Sequence, residues 1–221
     1  MELEENIYNK IYKEFDKSRY SIWVKVKEFL DSLEDNKIIL DAGCGNGKNI
    51  KYIIENLKMK EIYGIDYSHE FIKLCSEKFI NSNIIFKEMN ITNLHFPDNY
   101  FDYIISIAVI HHLNPENRIK MIKELVRVVK NNGLILISAW GIIRTDNFKL
   151  PNTLKNATKL NDNNDYLIPF KSNNIIYQRY YHLYQNNELF DFISNLNLNI
   201  KIIDSCFDRD NFFIILTKSI L

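Results

Sequence analysis

An open, doubly wound α/β sheet, mostly parallel and of seven strands, is the fold this sequence predicts. Three observations predict it. Continuous apolar runs of strand length alternate with segments of helical apolar spacing. The first run, Ile38-Ile39-Leu40, passes into the glycine-rich string Asp41-Ala42-Gly43-Cys44-Gly45-Asn46-Gly47, which opens a helix. The last two runs are joined by a few residues around Asp208-Arg209-Asp210, too few for a parallel crossover, so they pair as an antiparallel hairpin.

The elements follow in order. Residues 5–33 read as helical, because Ile22, Val26, Phe29 and Leu33 recur at helical spacing and Trp23 and Leu30 widen the stripe. Strands fall at 37–41, 61–66, 83–88, 101–108, 133–140, 199–206 and 211–218, mostly as runs suited to burial on both faces. One helix between them carries Ile50, Ile53, Ile54 and Leu57; another, capped by Ser68, carries Phe71, Cys75 and Phe79. A third carries Ile119, Ile122, Val126 and Val129, and the last carries Leu189, Ile193 and Leu196. Residues 141–185 interrupt the alternation, being rich in Asn, Asp, Thr and Lys with Pro151 and Pro169. They leave the carboxyl end of the fifth strand, the edge that holds the ligand crevice in such sheets. We read them as a substrate-side lid without regular structure, a solvated insertion being the alternative. The whole of 1–221 is one domain, with residues 1–35 as an N-terminal helical layer.

A chain of 221 residues suits one domain with a large core. Formal net charge is zero, so no global basic field announces nucleic acid, although a local patch stays open. Cys44, Cys75 and Cys206 are odd in number and far apart, which indicates neither a zinc site nor a disulfide framework. No metal ligands are assigned, and a reduced cytoplasmic or nuclear setting is the expectation. No run reaches the length of a membrane span, the charged N-terminus lacks a signal-peptide core, and no membrane partner is expected.

Gly43, Gly45 and Gly47 let the chain turn sharply and bring bare backbone against a ligand. Asp41 sits on that turn, where it repels an anionic cofactor and favours one with a positive end. S-adenosylmethionine, with its sulfonium and amino group, fits. Asp66 ends the second strand one βα unit later, placed to accept hydrogen bonds from vicinal ribose hydroxyls or to cap the next helix. The third strand ends Lys87-Glu88-Met89-Asn90-Ile91, where the Asn90 oxygen offers an acceptor to an adenine amino group. The fourth ends Ser106-Ile107-Ala108-Val109-Ile110-His111-His112, which puts two histidines beside the crevice, as site residues or as satisfied structural ones. Arg19-Tyr20-Ser21-Ile22-Trp23 and Gln178-Arg179-Tyr180-Tyr181-His182-Leu183-Tyr184 interleave arginine with aromatics. That suits an extruded base and its phosphates, or core packing under a loop.

The glycine turn resembles the D-x-G-x-G-x-G cofactor loop of class I S-adenosylmethionine-dependent methyltransferases, whose Rossmann-like sheet also ends in an antiparallel hairpin. Ser18-Arg19-Tyr20 with Trp23, the turn through Lys48, residues 106–112, Ala139-Trp140 and Arg179-Tyr180-Tyr181-His182 occur in one order. Over roughly residues 9–189 they resemble the eukaryotic tRNA wobble-uridine carboxymethyl methyltransferases, including the methyltransferase domain of the AlkB-type fusion proteins. The resemblance implies cofactor binding by Asp41, Gly43, Cys44, Gly45, Asn46, Asp66, Tyr67, Asn90, Ile91, Ile107, Tyr20 and Trp23. It implies catalytic positions at Arg19, His112, Arg179 and Tyr181. It further implies a tRNA anticodon stem-loop as substrate, a methyl ester of 5-carboxymethyluridine as product, and a small zinc-binding activator as heterodimer partner. The activator's place is the strand edge at residues 83–88, whose Ile84, Ile85 and Phe86 need cover. Gly141-Ile142-Ile143 after Trp140 departs from the family.

The acceptor carboxylate is already ionised at neutral pH and needs no general base. Charge is lost toward the transition state, so a strong ion pair on the attacking oxygen would favour the ground state. Arg19 and Arg179 are therefore expected on phosphate or on the non-attacking oxygen, with His112 or Tyr181 orienting the group. The rivals are a methyltransferase with a small or non-tRNA acceptor, and a silent scaffold that binds tRNA or the activator.

Overall fold

The computed structural model describes residues 7–80, 84–142, 154 and 156–219. Helices α1 (Ile7–Ser18) and α2 (Val24–Asp31) precede β1 (Ile38–Ala42), α3 (Lys48–Asn56), β2 (Glu61–Asp66), α4 (His69–Lys78) and β3 (Ile84–Glu88). Then come β4 (Phe101–Ile107), a 3-10 turn (Ile110–His112), α5 (Pro115–Val128) and β5 (Val129–Trp140). After β6 (Thr158–Lys159), β7 (Asp165–Ser172) and β8 (Ile175–His182), the chain ends with α6 (Glu188–Ser194), β9 (Ile200–Asp208) and β10 (Asn211–Lys218).

Seven strands form one sheet in the order β3-β2-β1-β4-β5-β10-β9. Pairings from β3 through β5 are parallel, and β10 runs antiparallel to both β5 and β9. The expected parallel sheet with a C-terminal antiparallel hairpin is therefore the observed one. Strand order reverses between β1 and β4, so their carboxyl ends open one crevice at the switch point. Buried apolar side chains cover both faces. Leu40, Ile104, Ile137 and Ile214 pack under α5 on one face; Ile39, Ile105, Leu136 and Phe213 pack against α2 on the other.

Two expectations need correction. Residues 5–33 are not one helical run, because α1 and α2 serve different partners. Tyr8 and Phe15 of α1 lie on Phe71 of α4. Val26, Phe29 and Leu30 of α2 join the sheet core. One straight helix cannot present both stripes, and the chain turns at Arg19, whose carbonyl accepts from Asn46 Nδ2 at 2.7 Å. The lid, second, is not without regular structure. β6, β7 and β8 form their own antiparallel sheet. Asn173 and Asn174, at φ of 48° and 64°, close a two-residue hairpin between β7 and β8. Pro169 in mid-strand and the polar composition hid that hairpin, since proline within a run argues against a strand. A smaller revision is at Val129, which begins β5 rather than ending α5. Asn83, Ile143 and Pro151 lie outside the described residues.

The chain on either side of this three-stranded sheet meets the large sheet at a tight junction. Ile142 N–H donates to the Tyr184 carbonyl at 2.8 Å, and Tyr184 N–H to that of Trp140 at 3.0 Å. A Cβ on Gly141 would stand 2.2 Å from the Phe212 ring and 2.7 Å from the Tyr184 carbonyl. Gly141→Ala is expected to destabilise the fold by about 1–3 kcal/mol through overpacking; chemical denaturation measures it, and an unchanged midpoint contradicts it.

Candidate active site

The floor of the crevice is the glycine turn. Gly43 and Gly45 take φ of 89° and 51°. The Gly43 and Cys44 amides both donate to the Ile65 carbonyl at 2.8 Å, which locks the turn to β2. The Gly45 amide donates to Asp66 Oδ2 at 2.8 Å, and a Cβ on Gly45 would meet nothing within 4 Å, so the backbone there faces open space. Asp66 Oδ1 accepts from the Ser68 amide at 2.8 Å. The Tyr67 amide also bonds this carboxylate, which leaves acceptor capacity for a further donor. The cap of α4 is Ser68 itself, whose hydroxyl accepts from the Phe71 amide, so Asp66 is not the capping residue.

Asp41 is fully buried. Its Oδ2 accepts a long bond from Asn49 Nδ2 at 3.5 Å, and its Oδ1 has no partner. Burial pushes its carboxyl up to about 7, and desolvation takes Asp66 to about 6 against the pull of its backbone bonds. Beside them Lys48 is brought down to about 8 by burial and by the Arg19 charge; its ammonium lies 4.7 Å from the Trp23 ring. Arg19 stacks its guanidinium on Phe15 at 5.2 Å. An unpaired acid and two nearby cations suit a ligand end that carries both an ammonium and a carboxylate.

The rear wall begins where β4 ends. Ala108, at φ of 61°, turns the chain so that Val109 leans on Gly43. His111 and His112 follow in the 3-10 turn. His111 is buried; its Nδ1 accepts from the Trp140 amide at 3.0 Å, so the proton sits on Nε2, which has no partner. His112 donates from Nδ1 to the Tyr180 carbonyl at 3.1 Å and accepts at Nε2 from the Tyr8 hydroxyl at 2.8 Å. Burial takes His111 well below its ordinary range and His112 down to about 3. Both are neutral and neither is a base.

β8 closes the site, and strand alternation sorts its string into two roles. Tyr180 and His182 face a polar network. The Tyr180 hydroxyl donates to Asp165 Oδ1 at 2.8 Å and accepts from Arg118 Nη2 at 2.9 Å. His182 is bonded to Asp165 at 2.8 Å and Glu188 at 2.7 Å. Arg179 and Tyr181 face the crevice. Tyr181 stacks on His111 at 4.8 Å, with Trp140 at 5.0 Å. Burial raises the Tyr8 and Tyr181 hydroxyls, so both keep their protons. Arg179 is only 5% exposed, lies over the Phe170 and Tyr181 rings, and its Nε and Nη1 have no partner.

Other expected positions differ in their surroundings. The Asn90 oxygen accepts from both the amide and the hydroxyl of Thr92 at 2.9 Å. Both lone pairs are taken in a local turn, so the expectation that this oxygen receives an adenine amino group is corrected. Cys44 packs its side chain beside Cys75 in the core and offers only backbone to the turn. Asn46 gives its amide to Asp16 and Arg19, holding α1 rather than a ligand. Ile91, in the turn after β3, and Ile107, at the end of β4, are core residues. Tyr67 is exposed, and Tyr20, 85% exposed, turns to solvent. The sequence reading missed Tyr8, Phe15, Arg118 and Asp165. Tyr8, Ile11 and Phe15 form a stripe of their own, the one signal that α1 has a separate partner.

A methyltransferase-domain family model matches residues 40–137. The tRNA (carboxymethyluridine(34)-5-O)-methyltransferase of Arabidopsis thaliana is 43% identical over 141 residues, which cover 63% of this chain and 33% of that protein. Its namesake from Schizosaccharomyces pombe is 29% identical over 235 residues, covering 96% and 95%. The chain is similar to these wobble-uridine methyltransferases. Its match thus spans a third of the plant relative and nearly all of the yeast one. A Clostridium acetobutylicum S-adenosylmethionine-dependent methyltransferase shares the fold, with TM-score 0.68 at 16% identity over 97% of this chain and all of that one. So does a chain in the Haloferax volcanii complex of the Trm112 activator with a putative methyltransferase, with TM-score 0.71 at 10% identity over 96% and 97%.

The residues of the turn fit S-adenosylmethionine, whose ammonium matches the orphaned Asp41 oxygen. A ligand cation selects the ionised carboxylate, so affinity falls as pH drops through about 7. Between pH 7.5 and 6 the binding constant is expected to weaken about tenfold, and Asp41→Asn is expected to flatten that slope. Calorimetry decides it; a wild-type affinity independent of pH contradicts it.

Proposed function

We propose that this chain transfers the methyl group of S-adenosylmethionine to the carboxylate of 5-carboxymethyluridine at the tRNA wobble position. One observation carries the reading of the acceptor. Arg179 is a buried guanidinium with two nitrogens, Nε and Nη1, unsatisfied, on a wall shared with the protonated Tyr8 and Tyr181. Leaving such a charge unpaired is costly, and an anion entering from solvent removes the cost. The family's acceptor is such an anion.

When bound, the cofactor supplies a methyl group on a positively charged sulfur. Asp41 receives its ammonium, with Lys48 and Arg19 placed for its carboxylate, and Asp66 receives ribose hydroxyls. Gly43 and Gly45 supply bare backbone beneath it. Arg179 holds the acceptor carboxylate by its non-attacking oxygen, and Tyr181 orients it through its hydroxyl. His112 has both nitrogens bonded and accepts the hydrogen bond of the Tyr8 hydroxyl, so it fixes Tyr8 against the wall and does not itself bind the acceptor. No group removes a proton, because the acceptor arrives ionised. Two reactants held in line in a water-poor site gain up to about 7–11 kcal/mol from orientation.

The activator partner belongs to the same proposal. β3 is an outer strand of the sheet, with Ile85 exposed and Ile84 and Phe86 half-buried. Unpaired apolar edges of this kind invite an added strand.

The test is incubation of the protein, with and without the activator, with labelled cofactor and tRNA bearing 5-carboxymethyluridine. Label released by mild alkali identifies an ester; stable label, or equal transfer to a small acid without tRNA, contradicts the reading. Arg179→Ala is expected to lower kcat/KM for the tRNA about tenfold to a hundredfold, the loss of a charge-assisted pair. Cofactor affinity by calorimetry is expected to stay within about twofold, since Arg179 lies on the acceptor side.

A further inference from the structure

The face of β8 that carries Arg179 continues outward beyond the site. Alternation puts Ile175, Tyr177, Arg179 and Tyr181 on one side of the strand. That side looks toward α1. Ser172, paired with Ile175, donates to Glu14 at 2.8 Å, and Phe170, paired with Tyr177, meets Phe15 at 6.3 Å. Exposure falls along the face from Ile175 at 54%, through a half-buried Tyr177, to Arg179. The Phe170 ring is already occupied by Phe15 and by the Arg179 guanidinium at 4.9 Å. Tyr177 differs. Among the described residues it has no ring contact, hydrogen bond or cation, although it stands next to a buried arginine that lacks an anion.

Distance relates the two. Two residues along a strand advance about 6.7 Å. A carboxylate paired with a guanidinium keeps its carbon about 4 Å from the guanidinium carbon. A one-carbon arm then sets the ring edge about 2.5 Å further out. A pyrimidine whose carboxymethyl group reaches Arg179 therefore has its ring one strand step outward, beside Tyr177. The rim suits the rest of a nucleic acid strand: Lys13 and Lys17 of α1 are exposed, and the neighbouring acid Glu14 is held by Ser172.

We propose that Tyr177 is the platform on which the substrate's pyrimidine ring stacks. The proposal rests on the reading of Arg179 as the acceptor-carboxylate site. It is tested with an anticodon stem-loop RNA bearing 5-carboxymethyluridine, in two arms. One arm measures kcat and KM with S-adenosylmethionine; the other measures the Kd of the same RNA by fluorescence anisotropy. Tyr177→Ala and Tyr177→Leu are expected to raise KM and Kd about tenfold, the loss of one base–aromatic stack, with kcat and cofactor affinity little changed. Tyr177→Phe and Tyr177→Trp are expected to recover the affinity. A Tyr177→Ala protein that binds the RNA like the wild type overturns the proposal, as does a Tyr177→Phe protein as weak as Tyr177→Ala. A wild-type protein that binds this RNA without methylating it refutes the proposed reaction, and the Kd series still decides Tyr177. Retained cofactor affinity in Tyr177→Leu separates loss of the platform from loss of the fold.

Discussion

Two buried charges that the protein leaves unpaired, on either side of one glycine turn, set the terms for the rest of this structure. Asp41 is an acid with an orphaned oxygen beneath the turn, and Arg179 is a cation with two orphaned nitrogens on the wall made by β8. An uncompensated buried charge opposes folding. The surrounding elements therefore have to hold both groups in place, and they do so with bonds that ask nothing of either charge. Asp66 and the Ile65 carbonyl lock the turn, and the Asp165 network locks the far face of β8. The ligands that relieve the two groups are of opposite sign, a cationic donor and an anionic acceptor. Their charges cancel in the reaction.

α1 joins the two halves. Asn9 accepts from Ser68, the cap of α4, and Asp16 from Asn46 of the turn and Lys78 of α4. Glu14 accepts from Ser172 on the lid hairpin, and Tyr8 meets His112 behind the site. One short helix touches the cofactor floor, the histidine turn and the lid. A change at α1 is therefore felt at both ligands, which a view of residues 1–35 as a plain covering layer does not convey.

The architecture was legible because its signals are local. Ile38–Ala42 followed by three glycines, an acid ending β2, and a short link between β9 and β10 define sheet order by spacing alone. The site was legible in its residue types and less so in its roles. Asn90 carries the right atom, yet Thr92, two residues on, claims both its lone pairs. His111 and His112 look like a pair, yet opposite bonds fix them in different tautomers. Arg179-Tyr180-Tyr181-His182 is a contiguous string that a strand divides between two faces. Tyr8 and Phe15 were hidden because their meaning depends on α4 and β7, far along the chain. Long-range partners, not propensities, decide these cases.

The preference of the site for a negative acceptor is the most direct measure of the central assignment. Two anticodon stem-loops that differ only at the wobble base, one bearing the 5-carboxymethyl acid and the other its neutral amide, isolate the charge that Arg179 is held to receive. The wild-type protein is expected to bind the acid at least about tenfold more tightly than the amide, and Arg179→Gln is expected to erase the difference. Equal affinity of the wild-type protein for the two RNAs, or a preference that survives Arg179→Gln, contradicts the assignment.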